Sequence, residues 1–349
     1  MRRLSALTHA DVDPTRRHLL HASLYSLAGL TVPEPRPLPD RTYDRTAPHS
    51  CDAQSRATQG EVGQMQTMAR VFAEAAQLHG PGHVRTALTA YLGHDVTGYL
   101  SAPATEHLHR RLLSGAAQLT VLLGTMCAGD GADALAQHYH RTAAQMAADA
   151  DDMTTYAIAL RTMSAHAHDL GHHSRSVLNL AERAAACDRT PPIVRAYAYA
   201  HLAVIQAHHD RRAALTALTA AERLHDRADT TPGPFSHYPA GALHYQRAQT
   251  LATLGDKPGA LSALNLSLRL RTPAEHHACT LTRARTAETL LAQGQLDAAL
   301  THWQIFVDSY PTLHSVQATR HLDTMRRLLH PHRSHRPAAF LLTQSATLR

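Results

Sequence analysis

The sequence predicts an all-α protein, a right-handed solenoid of helical hairpins with about thirteen helices, and three observations predict it. The first is a recurring unit, a turn followed five residues on by a small residue beside a large one. Gly129-Asp130 leads to Ala134-Leu135, Gly171-His172 to Ser176-Val177 and His209-Asp210 to Ala214-Leu215. Gly255-Asp256 leads to Ala260-Leu261 and Gly294-Gln295 to Ala299-Leu300, the successive turns lying 42, 38, 46 and 39 residues apart. The second is a mostly apolar column nine residues after each turn: His138, Leu180, Leu218, Leu264 and Trp303. The third is composition. Of 349 residues 44% are hydrophobic but only 5% aromatic, which suits closely packed Ala/Leu helices and not sheets, where Val, Ile, Phe and Tyr are enriched.

Each column has a physical reason. A residue able to take positive φ, usually Gly, closes the first helix of a pair. A small residue five later lets two helices cross closely. The large neighbour fills the groove and contributes about 2 kcal/mol if fully buried.

Three regions follow from this reading. Residues 1–60 are an N-terminal short helix and a Pro-rich linker or strap. The helix is expected from about Pro14 to Leu30, capped by Asp13 with Pro14 at its first position. Pro33, Pro35, Pro37, Pro39 and Pro48 then forbid regular structure, so 31–60 is expected to be a linker or a strap lying over the first repeats. Residues 61–330 form the solenoid. Its opening helices are 61–78, with Val62, Met65, Met68, Val71, Phe72 and Ala75 at helical spacing, and 83–100. Pairs follow at 105–128 with 131–148, 151–169 with 173–187, 192–208 with 211–226, 239–254 with 257–270, and 273–293 with 296–309. A last helix covers 313–330. The insert Asp229-Thr230-Thr231-Pro232-Gly233-Pro234 is the longest break and accounts for the 46-residue interval. Residues 331–349 form a basic tail, expected to be mobile or loosely docked.

These turn-Ala-Leu units, with Trp303 and Pro311 where an aromatic and a closing proline are expected, resemble degenerate tetratricopeptide repeats. More specifically, the chain is similar to the sensor region of cytosolic regulators that join a helix-turn-helix to a tetratricopeptide solenoid. Asp11-Val12-Asp13-Pro14-Thr15-Arg16-Arg17-His18-Leu19-Leu20 resembles their joining segment, and Gly82-His83-Val84-Arg85 with Tyr91-Leu92 resembles the region that follows. Only ten residues precede that segment, so the DNA-reading helices are expected to be absent. The resemblance implies a regulatory binding protein without the part that touches an operator.

The same reading indicates no enzyme. There is no phosphate-binding Gly-rich loop before a Lys-Ser/Thr, no G-x-S-x-G elbow and no Cys with a patterned His partner. The 29 histidines give candidate metal pairs at His138/His140, His166/His168, His172/His173, His208/His209 and His276/His277, and a tail group at His330, His332 and His335. None shows i, i+4 spacing with a carboxylate, so no metal and no cofactor is expected. Asp149-Ala150-Asp151-Asp152 lacks the Gly and Glu of a calcium loop and reads as a cap before Met153.

A formal charge of +6 spread over the chain, with four Phe and one Trp, offers no stacking platform and argues against direct nucleic-acid binding. Arg326-Arg327 are explained by a helix C-terminus. Four isolated cysteines, Cys51, Cys127, Cys187 and Cys279, suit a reducing, cytosolic compartment. No apolar run approaches the roughly 18 residues of a membrane helix.

What remains is a concave face. The resemblance implies that the first helix of each pair lines it, which nominates Arg161, His168, Tyr199, Gln206, Tyr245, Gln249 and Glu288 as a groove for a protein or peptide segment. Tyr199 and Tyr245 both lie ten residues before their turns. Two alternatives stand beside this one: a DNA-associated regulator acting through the basic tail or a partner chain, and an exported binding protein using Arg16-Arg17 and the following apolar stretch as a twin-arginine-like signal.

Overall fold

A computed structural model describes residues 2–13, 25–32, 56–228 and 238–348. All regular structure among them is helical, in fifteen helices, more than the number expected. The surplus lies at the two ends. Helix α1 (Arg2–Val12) occupies residues with no expected helix, and α15 (Arg336–Ala346) occupies the tail. Residues 14–24, with Arg16-Arg17, lie outside the described residues, as do 33–55 and 229–237. Of the expected helix at 14–30 the described part is a 3₁₀ turn, Leu27–Leu30.

Helix α2 (Gln59–His79) starts at a capping box: the Thr58 hydroxyl accepts from Gly60 N–H, and the Glu61 carboxylate accepts from Thr58 N–H at 2.7 Å. Helix α3 spans 85–101, running from Arg85–Tyr91 through a π segment, Leu92–Val96, into Thr97–Ser101. Six hairpins follow. They are α4 (Glu106–Gly129) with α5 (Asp133–Asp149), α6 (Met153–Asp169) with α7 (Arg175–Ala185), and α8 (Pro192–Gln206) with α9 (Arg211–Asp226). Then come α10 (Ala240–Thr253) with α11 (Lys257–Leu270), α12 (His276–Leu291) with α13 (Leu296–Ser309), and α14 (Val316–Leu329) with α15. Asp152, as expected, caps α6 by accepting from Thr155 N–H at 2.9 Å; Asp210 and Asp256 cap α9 and α11 likewise.

First helices touch first helices: α4 packs on α6, α6 on α8, α8 on α10, and α12 on α14. Helix α2 packs on both α4 and α12. The segment just after α2 is bonded to the α13–α14 connection, with His314 N–H to His79 O at 2.8 Å and Gly82 N–H to His314 O at 3.1 Å. Gly80 has φ 89° there, and a Cβ would come within 2.7 Å of His314 O. One large apolar cluster runs from Leu4 to Leu218 and a second from Ala284 to Leu341. Between them the α10–α11 hairpin has a small core of Ala248, Ala263 and Leu264, supplemented by a buried bond from Ser267 Oγ to Gly241 O.

The turns correct the expected register. Gly171, Gly255 and Gly294 have φ between 77° and 85°, and each turn closes by a six-residue bond: His172 to Ala167, Asp256 to Leu251 and Gln295 to Leu290. In the α4–α5 turn the positive φ falls on Gly131, not Gly129, with the matching bond from Ala132 to Cys127. Gly129 is instead the last helical residue, and a Cβ on it would overlap Pro81. Shifting that unit by two moves its column from the exposed His138 to the fully buried His140, in line with Leu180, Leu218, Leu264 and Trp303. Two further column members are not buried: Ser176 is exposed because α7 starts late, and Leu215 is 38% exposed.

The tail, expected to be mobile or loosely docked, forms α15 against α13 and α14, burying Ala338 and Leu341. Its last carbonyls, of Ser345 and Leu348, accept from the Arg326 guanidinium. Residues 26–32 run across α5 and α7: Gln137 bonds both the N–H and the C=O of Ser26, and Arg183 donates to Val32 O at 3.0 Å. Helix α4 contains an 18-residue window of mean hydropathy 1.4, contrary to the expectation that no apolar stretch approaches that length; 61% of the window is buried inside the protein. It is the one such helix among the described residues.

Candidate binding groove

Helices α6, α8, α10, α12 and α14, with Gln77 at the end of α2, enclose one cavity of about 700 Å³. This is within the ordinary range for ligand sites, about 300–1,000 Å³. Five of the seven nominated residues line it: Arg161 and His168 on α6, Tyr245 and Gln249 on α10, and Glu288 on α12.

Tyr199 and Gln206 lie elsewhere on α8. Tyr199 packs against the apolar clusters, and Gln206 Nε2 donates to Glu182 Oε1 on α7 at 3.4 Å. In their place α8 presents Tyr197 and His201. The reason is the α8–α9 turn. It has no positive-φ residue, and Asp210 N–H bonds Gln206 O four residues back instead of closing a six-residue loop. Counting back from His209 as though it were a glycine therefore rotates the nominated face off the cavity, because each residue turns a helix by about 100°.

The cavity wall carries five arginines, Arg161, Arg271, Arg285, Arg320 and Arg327, against the carboxylates of Asp169 and Glu288. Two arginines are committed within the protein. Arg271 pairs with Glu275 at 2.8 Å, and Arg285 with Glu288 at 3.2 Å. Glu288 is also bonded by His321 at 2.7 Å. Burial raises the Glu288 carboxyl, but the His321 hydrogen bond and charge and the Arg285 guanidinium hold it below the usual carboxylate range. The Arg161 guanidinium carbon lies over the Tyr197 ring, 3.9 Å from its centroid, with the Arg161 Nε buried and unbonded among the described residues. Asp169 accepts from Gln317 at 3.1 Å, tying α6 to α14.

Three of the histidines around the cavity, His168, His201 and His277, are neutral at physiological pH. Burial pushes His168 down to about 4, assisted by its neighbours His173 and His208, and burial pushes His277 to about 4. His201, bonded to Ser164 Oγ at 3.0 Å, is held well below its usual value by burial and by Arg161. With these three neutral, the guanidinium groups of Arg161, Arg320 and Arg327 supply positive charge to the cavity wall.

Arg320, His321 and Arg327 were missed because 313–330 reads as a capping helix outside the repeat. The i, i+7 spacing of Arg320 and Arg327 was the available signal for one cationic stripe. Among the described residues one group, His168, His173 and His208, is close enough to share a metal ion; it gathers a single member of each of three sequence pairs. No protein-family model matches this sequence, and no curated protein matches it.

Proposed function

We propose that the hairpins form a solenoid of tetratricopeptide type, and that the protein is a non-catalytic, cytosolic binding protein of regulatory kind, holding a protein or peptide segment in the cavity shared by its first helices. The observation that carries this reading is the convergence of alternate helices on one arginine-rich space. Arg161, Arg320 and Arg327 favour a segment bearing carboxylates, because bidentate guanidinium–carboxylate bonds are the strong ones available there. Tyr245 and Gln249 supply contact area and backbone hydrogen bonds beside them.

The resemblance to regulators supports the regulatory part of the reading. The free thiols Cys127, Cys187 and Cys279 support a reducing compartment. A nucleic-acid role for the tail loses one of its cations, since Arg326 is engaged by the carbonyls of α15.

The test is affinity capture with mass spectrometry, run in parallel on the wild-type chain and on an Arg161→Gln, Tyr245→Ala variant checked for unchanged helicity. A partner retained by the first and lost by the second supports the groove. Partners recovered equally by both overturn it.

A further inference from the structure

We propose that His168, His173 and His208 form a divalent transition-metal site that clips the second repeat hairpin to the third at the rim of the groove. Each ligand comes from a different element. His168 is in the last turn of α6, His173 is in the α6–α7 loop, and His208 is in the α8–α9 turn. Their ligand nitrogens all lie within 4.8 Å of one another. His168 Nδ1 and His173 Nδ1 are 3.3 Å apart. Two imidazoles on one tetrahedral ion, with metal–nitrogen bonds of about 2.0–2.1 Å, place their nitrogens about 3.3 Å apart. Without an ion the same contact is a hydrogen bond from whichever ring carries its proton on Nδ1.

The third ligand requires a small movement. His173 and His208 stack, with ring centroids 3.8 Å apart and planes 12° from parallel, so their lone pairs do not yet converge. Both are exposed, which leaves room to turn either ring about its side-chain torsions. An off-rotamer torsion costs about 0.5–1.5 kcal/mol, small beside the free energy of even a micromolar ion, about 8 kcal/mol. An all-imidazole set selects zinc, copper or nickel over calcium or magnesium. Arg161 and Arg285 near His168 oppose a cation and weaken its binding.

Because His168 also lines the cavity, the ion would fix the rim of the groove without entering it. The chemistry is ligation alone, with no reaction implied.

The experiment is calorimetric titration of the tag-free full chain with zinc, alongside His173→Ala, His208→Ala and a His332→Ala, His335→Ala control. One saturable site of micromolar affinity is expected. Even outer-shell losses weaken metal sites by about 10–100-fold, so each single variant should bind at least about tenfold more weakly while the tail control is unchanged. Zinc should also raise the melting temperature of the wild type and not of His208→Ala. Absence of saturable binding at micromolar zinc, or binding undiminished in both single variants, overturns the site.

Discussion

Asp11 and Arg85, 74 residues apart, meet as a buried ion pair with Arg85 Nη2 2.5 Å from Asp11 Oδ1. Tyr139 and Thr89 donate to the other Asp11 oxygen, and Arg85 also reaches Asp130 and the Cys127 sulfur. The pair joins the end of α1 to the start of α3 through one residue of each. Burial outweighs the Arg85 charge at Cys127 and pushes its thiol up to about 12, so this cysteine stays protonated.

Removing one partner of this pair leaves the other charge buried. Asp11→Ala or Arg85→Gln should cost about 3–5 kcal/mol. Urea denaturation reads this directly, and a loss below about 1 kcal/mol would show the network to be dispensable. Replacing both by apolar residues should recover part of the loss.

Tyr199 and Tyr245 should behave differently. Tyr245→Ala, on the cavity wall, should weaken the captured partner with little change in melting temperature. Tyr199→Ala removes an aromatic packed on two clusters and should destabilise by about 2–4 kcal/mol, leaving the groove lining in place. Equal effects of the two on partner binding would contradict the placement of Tyr199.

Acid should weaken the fold well above the carboxylate range. Burial depresses His140 to about 3, and His168 and His277 to about 4, against an unfolded value near 6.5. A base with a depressed folded pKa binds its proton more readily in the unfolded chain. Its contribution is thus fully present above about pH 6.5 and is lost progressively as pH falls from there toward 4. Melting temperatures taken from pH 8 to 4 should fall mainly below pH 6.5, and His140→Gln should shift the onset.

Truncation after residue 335 should expose the apolar seat of Ala338 and Leu341 on α13 and α14. Leu341→Ala alone should cost about 2–4 kcal/mol by calorimetry. A truncated chain as stable as the full one would mean that α15 only rests on the surface.

Most of this architecture was legible in the chain. Gly171, Gly255 and Gly294 mark their turns because only glycine accommodates that φ without cost, and Asp152 marks a helix start because its carboxylate meets free N–H groups. The errors share a cause. Gly129 and Gly131 stand two apart, and nothing local says which takes the left-handed conformation; Pro81, far away in sequence, decides by packing against the first. His209 offers no backbone constraint, so the count from it drifted and carried Tyr199 with it. Helix α15 was hidden because a basic, Pro/His-rich entry looks like a linker until Leu341 finds its seat. The histidine trio depends on a loop, a turn and a helix end coming together, which spacing along one helix does not report.

Because α2 lies against both α4 and α12, stretches 147 or more residues apart share a keystone. An open stack of repeats peels from its ends one unit at a time. Here separating α4 from α12 would have to break the contacts of α2 on one side or the other, so whatever settles among the inner helices acts on a frame already braced from across the span.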